Sequence, residues 1–175
     1  MGRDKAFVSW KGRTLLEHAL ETVGRVAADV RIVGSATTFA AHGTVVEDVF
    51  PDRGPLGGIH AALASTETDL NLVLAVDLPL VPGELLEYLL AKAWGTEAVA
   101  TVPHFEEGWQ PLCAVYRKGF AKAADEALRG GQNAVHALLE SQPCRVLSEA
   151  ELLKAGFSRA LFRNLNTVDD LANFS

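Results

Sequence analysis

The sequence predicts a three-layer α/β fold around a mostly parallel sheet, formed by residues 1–175 as a single domain. Short apolar runs alternate with amphipathic helical patterns along the chain, which is typical of helices packed on both faces of a sheet. In addition, residues 70–76 are apolar almost without interruption, as expected for a parallel strand buried on both faces. A hydrophobic content of 49% with only 7% aromatic residues agrees with this class.

The elements can be justified in order along the chain. Thr14 and Glu17 match a capping box, and apolar residues recur at helical spacing behind them, so a first helix is predicted after Thr14. Pro82 opens a later helix at its first turn. The predicted strands are residues 30–33, 45–46, 70–76, 98–102 and 112–116; the other predicted helices are residues 59–65, 82–90, 120–128 and 134–139, with further starts at Ser148 and Thr167.

Composition argues against several classes of protein. A net charge of −6 does not suit a nucleic-acid binder, and no apolar run approaches the ~20 residues of a membrane span. Cys113 and Cys144 are isolated, which suits a reducing cytoplasm and offers no metal site. The five histidines do not cluster at ligand spacing. We therefore expect a cytoplasmic protein that binds neither nucleic acid nor membrane.

Residues 1–5 have the composition of the end of a phosphate-binding loop. Gly2 allows the backbone to approach a phosphate closely, and Lys5 neutralises phosphate charge. Five residues of this kind also occur by chance. The interpretation therefore depends on the motifs that follow.

Asp77 comes directly after the apolar strand and is followed by Leu78 and Pro79. In open parallel sheets, ligands bind beyond the carboxyl ends of the strands, so this carboxylate is predicted to face the ligand. Mg²⁺ takes hard oxygen ligands, commonly one or two carboxylates plus substrate phosphates. A turn-forming or helix-capping acid is the alternative, and the long apolar strand favours the metal role.

Residues 54–59 form a glycine-rich turn that is predicted to lead into the helix beginning at Ile59. Gly57 and Gly58 have no side chains, so a flat base or a phosphate could lie against the backbone near a helix N-terminus. An ordinary turn is the alternative. Asp48 and Asp52 lie upstream, where either could accept hydrogen bonds from a base edge or solvate the loop.

Three further segments carry candidate side chains. Arg117 ends a strand and could bind a phosphate with two hydrogen bonds, or it could pair with a nearby acid. Asn164 and Asn166 alternate along an extended segment, so their amides share one face and could bind a metal or phosphate, or act as caps. Trp109 is predicted to be a core or rim residue, although its position beside Gln110 could place it in a pocket.

Taken together, these motifs resemble the molybdenum cofactor guanylyltransferase family, whose members are nucleotidyltransferases with a Rossmann-like α/β fold. Each motif is modest alone, but the ordered set spans nearly the whole chain and is specific. The motifs that carry the resemblance are Met1-Gly2-x-Asp4-Lys5, Gly-Pro-Leu-x-Gly-Ile at 54–59, Asp77-Leu78-Pro79, Pro-Leu-x-Ala-x-Tyr-Arg at 111–117 and Asn-x-Asn-Thr-x-x-Asp-Leu at 164–171.

The resemblance implies transfer of GMP from GTP to the phosphate of a molybdopterin-type cofactor, with release of pyrophosphate. It implies Mg²⁺ or Mn²⁺ on Asp77, with Asn166 close enough to help position metal or phosphate. Transient contact with molybdoenzymes or their chaperones is a further implication. The remaining implied roles are triphosphate binding by Gly2 and Lys5, guanine recognition or loop support by Asp48, room for the base at Gly57 and Gly58, and contact with molybdopterin by Arg117 and Asn164.

The sequence departs from the family pattern at its start. The family's first strand and the Leu-x-Gly-Gly-x-Ser-x-Arg half of its loop have no counterpart, so we expect the first central strand to be absent and Met1 to be an internal residue of a longer protein. Two other functions stay open. One is a nucleotidyltransferase that uses CTP or a sugar phosphate, and the other is a non-catalytic protein that binds or escorts molybdopterin.

Overall fold

The computed structural model describes residues 5–164 as an alternation of strands and helices. The strands are β1 (Ser9–Trp10), β2 (Arg13–Thr14), β3 (Arg31–Val33), β4 (Thr44–Val46), β5 (Leu70–Leu74), β6 (Ala100–Phe105), β7 (Gly108–Trp109), β8 (Cys113–Arg117) and β9 (Cys144–Ser148). The helices are α1 (Leu15–Gly24), α2 (Ala36–Phe39), α3 (Gly54–Ala64), α4 (Gly83–Trp94), α5 (Phe120–Arg129), α6 (Val135–Ser141) and α7 (Glu149–Lys154), with 3₁₀ turns at Lys5–Phe7 and Arg159–Phe162. Across residues 5–164, every helix is too short or too polar to cross a membrane.

The capping box predicted at the start of α1 is confirmed. The Thr14 hydroxyl accepts a hydrogen bond from the Glu17 amide at 3.2 Å, and the Glu17 carboxylate accepts one from the Thr14 amide at 2.7 Å. These two bonds satisfy backbone donors that a helix N-terminus otherwise leaves without partners. Local sequence therefore determines where this helix begins.

The main sheet contains five strands in the order β5-β8-β6-β7, with β9 beside β6. Strand β9 runs parallel to β6, but β8 runs antiparallel to both of its neighbours, β5 and β6. Strand β8 is therefore an antiparallel exception among β5, β6 and β9, which share one direction. The physical reason is the short connection through β7, because a parallel crossover needs a dozen or more residues.

The three-layer arrangement is visible in β8, whose side chains alternate between two hydrophobic clusters. Ala114 and Tyr116 join the cluster formed with α3, α5 and α6. Cys113 and Val115 join the cluster formed with α4 and α7. All four residues are buried, so helices cover both faces of the sheet at this strand.

Strand β5 was predicted to be buried on both faces, and within residues 5–164 it is less buried than that. All five residues of β5 are only half-buried, and within residues 5–164 this strand pairs with β8 alone. Strand β3 likewise pairs only with β4, in a separate parallel sheet of two strands. Helix α3 packs on both sheets, since Leu56 belongs to the main core cluster and Gly58 lies against Val33. The absence of a central strand stays a prediction. Within the described residues, β3 and β5 each keep one edge without a strand partner.

Burial of Cys113 gives the fold a testable sensitivity to alkaline pH. Desolvation raises the pKa of this thiol from 9.0 to about 12. The unfolded chain loses the thiol proton first, so the free energy of unfolding should fall as the pH rises from about 9, by at most about 1.4 kcal/mol per pH unit. Urea unfolding between pH 8 and pH 10 measures this slope. We expect Cys113→Ala to reduce it and the half-buried Cys144→Ala to change it less; an unchanged slope in Cys113→Ala would contradict the assignment.

Candidate functional site

Several loops meet where β5 and β6 finish, which we call the carboxyl end of the sheet. Because β5 and β6 are both antiparallel to β8, they run in the same direction and finish at the same end. The Ala75 amide, just beyond β5, donates a 2.7 Å hydrogen bond to the Leu112 carbonyl, just before β8. The turn that carries Asp77 is thereby joined to the loop between β7 and β8.

Asp77 occupies the first of two consecutive turns beyond β5. The Leu78 amide donates to the Ala75 carbonyl at 3.3 Å, and the Val81 amide donates to the Leu78 carbonyl at 3.2 Å. Leu78 and Val81 are buried, which anchors the segment, whereas Asp77 is half-buried. Its carboxylate has no hydrogen bond or ion pair within residues 5–164. A positioned carboxylate with both oxygens uncommitted fits a Mg²⁺ or Mn²⁺ ligand.

No other part of residues 5–164 offers an independent metal centre, since no group of three or more His, Cys, Asp or Glu side chains converges there. A single carboxylate suits a cation that takes its remaining ligands from water and substrate phosphates. The donor set at Asp77 is therefore compatible with a metal that arrives with a nucleotide.

Asp48 supports its own loop. One carboxylate oxygen accepts a 2.8 Å hydrogen bond from the Phe50 amide, which closes an Asx-type turn. The same carboxylate fills the space beside Gly57, where an added Cβ would lie 2.7 Å from Oδ2. Of the two roles expected for Asp48, these contacts describe the loop-supporting one.

The two glycines lie inside helix α3 and not in a turn before it. The helix begins at Gly54, five residues earlier than predicted, with Pro55 in its first turn. Gly57 packs against Asp48, and a Cβ on Gly58 would lie 3.8 Å from Val33. Gly57 is thus packed closely against protein atoms, whereas Gly58 is half-buried. The room for a base that was expected at these two glycines stays a prediction. The preference of proline for the first helical turn is a signal that could have located this start.

Replacing Gly57 with alanine should destabilise the protein by about 1–3 kcal/mol, because the new methyl group overpacks the space against Asp48 and the Phe50 carbonyl, 3.1 Å away. Thermal or urea unfolding provides the measurement. Gly83→Ala is the matched control, since a Cβ there meets nothing within 4 Å. Equal stability of the two variants would show that the Asp48 loop adapts without cost.

Arg117 does not lie at this site. In the β8–β5 register it stands opposite Leu70, at the other end of the strand from Leu74, which pairs with Cys113. At about 3.3 Å per residue, this places its backbone about 13 Å from the carboxyl end. Its guanidinium binds the Asp69 carboxylate and donates a 2.6 Å hydrogen bond to the Thr96 carbonyl beyond α4. Of the two roles expected for Arg117, these contacts describe pairing with a nearby acid, and the antiparallel direction of β8 places the residue at the end of the sheet opposite Asp77. Its contact with phosphate or molybdopterin stays a prediction.

Of the remaining predicted site residues, the structure describes Lys5 and Asn164. Lys5 is exposed in the 3₁₀ turn Lys5–Phe7, next to Ala6, which is buried in a cluster with Leu16 of α1. Asn164 is exposed just after the 3₁₀ turn Arg159–Phe162. The predictions for Gly2 and Asn166 lie outside the described residues.

A cavity of about 570 Å³ opens beside the same loops. Pro111 lines it, next to the residue that bonds the Asp77 segment. Trp109, which sequence analysis raised as a possible pocket residue, lines it from β7. The α6 region contributes Asn133, His136 and Glu140, none of which the sequence analysis assigned. The i, i+4 spacing of His136 and Glu140 on one helix face is the signal that could have found them.

The family described as MobA-like NTP transferase domain matches residues 1–161 of this chain. The chain belongs to this family. It is therefore a nucleotidyltransferase domain with the α/β fold of that family.

Individual relatives agree with the family assignment. A probable molybdenum cofactor guanylyltransferase of Methanosarcina mazei is 31% identical over 184 residues, which cover 97% of this chain and 81% of the relative. The crystal structure of a molybdopterin-guanine dinucleotide biosynthesis protein A from Archaeoglobus fulgidus superposes with a TM-score of 0.85 at 26% identity, covering 98% of this chain and 89% of that one. A Mycobacterium tuberculosis protein solved as a complex with manganese shares the fold, with a TM-score of 0.59, 20% identity, and coverage of 84% and 82%.

Proposed function

We propose that this nucleotidyltransferase domain transfers GMP from GTP to the terminal phosphate of a molybdopterin-type cofactor and releases pyrophosphate. The observation that carries the proposal is the uncommitted Asp77 carboxylate at the carboxyl end of β5, in a chain that the family matches over residues 1–161. The names of the relatives supply the nucleotide and the acceptor.

The reaction needs alignment and charge neutralisation more than a protein nucleophile. An oxygen of the acceptor phosphate attacks the α-phosphorus of GTP, and the bond from that phosphorus to the bridging oxygen breaks. Pyrophosphate departs with the bonding electron pair. The role of the chain is to hold two anionic substrates in line, which matches a site without a Ser or Cys nucleophile motif.

Asp77 would hold Mg²⁺ or Mn²⁺ together with substrate phosphates, and such a cation neutralises charge on the reacting phosphates. Lys5 and Gly2 would contact the triphosphate, and Asn166 would help to position metal or phosphate. Asp48 would support the loop beside the base, and Asn164 would contact the acceptor. Transient contact with molybdoenzymes or their chaperones and a cytoplasmic location belong to the same proposal.

The test is a pyrophosphate-release assay with molybdopterin and Mg²⁺, in which GTP, CTP and ATP are compared. We expect GTP to be preferred and release to depend on the acceptor. A preference for CTP would mean that the nucleotide substrate is CTP and not GTP. Acceptor binding without release from any nucleotide, in this chain and in a chain extended by an N-terminal strand and glycine-rich loop, would favour the escort function.

A further inference from the structure

We propose that the cavity beside the carboxyl end of the sheet binds a 2-amino-4-oxopyrimidine ring, the ring system shared by guanine and pterin. The inference deepens the proposed function and rests on it for the choice of these two sources. Three features of the cavity carry it: an aromatic lining, an exposed carboxylate that has no ion-pair partner within residues 5–164, and a position next to the Asp77 segment.

The aromatic lining includes Trp109 on the β6–β7 hairpin. It is half-buried: part of the side chain packs on the main core cluster, and the side chain also lines the cavity. The His104 ring packs against it at a centroid distance of 4.8 Å and an interplanar angle of 80°. The indole is therefore held by its neighbours, and together with His104 it gives the cavity an aromatic lining against which a heteroaromatic ring can pack.

The carboxylate is Glu140 on α6. The other acid of the cavity, Glu107, accepts a 2.5 Å hydrogen bond from Arg159, and the Asn133 side-chain oxygen accepts one from Arg53 at 3.3 Å. Glu140 has no such partner within residues 5–164 and lies one helical turn from His136. Its two oxygens can therefore accept two parallel hydrogen bonds from a ligand.

A ring that donates two parallel hydrogen bonds to Glu140 must carry two N–H groups side by side. Guanine and pterin each present a ring N–H and an exocyclic amino group side by side, which is the pair of donors that one carboxylate accepts. Inosine and lumazine lack the amino group. The negative charge of Glu140 also opposes the entry of phosphate, so the phosphate end of the ligand should point out of the cavity. Pro111 lines the cavity, and the carbonyl of the next residue, Leu112, accepts the hydrogen bond from Ala75 at the start of the turn that contains Asp77.

Binding of uncharged probes tests the site separately from catalysis. Calorimetric titration of neopterin and guanosine is compared with lumazine and inosine, none of which carries a phosphate. We expect neopterin or guanosine to bind and the ring without the amino group to bind about tenfold more weakly or worse. Glu140→Gln and Trp109→Ala should each weaken the preferred probe by a similar factor.

Matched variants control for indirect effects. Glu126→Gln changes an exposed acid on α5, and Trp94→Ala removes an indole that is 79% exposed; neither residue lines the cavity. Trp109→Phe keeps an aromatic surface and should keep most of the affinity, which separates loss of stacking from loss of folding. Far-UV circular dichroism and thermal unfolding check each variant.

The outcomes identify the source of the ring. If only neopterin binding depends on Glu140 and Trp109, the cavity holds the acceptor; if only guanosine binding does, it holds the GTP base; dependence of both supports a shared site. The inference is overturned if neither neopterin nor guanosine binds, or if their affinities are unchanged by Glu140→Gln and Trp109→Ala. Because GMP transfer is assayed separately, transfer that persists in Glu140→Gln and Trp109→Ala leaves the proposed function in place without this site.

Discussion

Asp77→Asn is expected to reduce GMP transfer by roughly 10³-fold or more while leaving the stability of the protein almost unchanged. The half-buried carboxylate has no hydrogen bond or ion pair within residues 5–164. Replacing it with the amide of asparagine therefore removes no contact from the described part of the fold. It does remove the negative charge that would hold the divalent cation, and cation contributions to such transition states amount to several kcal/mol, or about three powers of ten in rate.

Steady-state pyrophosphate release across a range of Mg²⁺ and Mn²⁺ concentrations measures this effect. We expect the Asp77→Asn variant to need much more metal or to show no saturation. Glu126→Gln is the matched control, because it also replaces a carboxylate with an amide, and Glu126 is an exposed residue of α5 that belongs to no candidate site. Full activity of Asp77→Asn at ordinary metal concentration would show that another group binds the cation.

The second large effect is expected from an added strand. A chain extended at its N-terminus by an apolar strand and a Leu-x-Gly-Gly-x-Ser-x-Arg loop should be more stable and should transfer GMP faster than residues 1–175 alone. The reason is that, within residues 5–164, β3 and β5 each have one edge without a strand partner, and helix α3 packs on both strands. A strand between them would pair backbone groups whose lack of partners costs about 1–3 kcal/mol each when buried.

An increase of several kcal/mol in unfolding free energy corresponds to a rise of roughly 10 °C in melting temperature for a domain of this size. Differential scanning calorimetry compares residues 1–175 with the extended chain. In the control, two strand residues of the extension are replaced by proline, which cannot donate to a sheet. If the extended chain melts at the same temperature as residues 1–175 and as the proline variant, the edges of β3 and β5 do not accept a strand.

Much of the candidate site could be predicted because its elements depend on local sequence. The carboxylate after an apolar strand is an example, since Asp77 lies in the first turn beyond β5, as expected. The α6 wall of the cavity could not be predicted with equal ease. Asn133 and Glu140 line the same cavity as Trp109 only through the tertiary fold, and proximity between residues so far apart in sequence leaves no local pattern.

By itself, the sequence determined the family, the α/β class and the start of α1, because ordered motifs and capping residues are local properties of the chain. Only the tertiary structure decided the direction of β8, and with it the placement of Arg117 at the end of the sheet opposite Asp77. It also decided that Gly57 packs against the Asp48 carboxylate. Strand direction and helix docking depend on pairing between distant segments, and an apolar strand has the same composition in either direction.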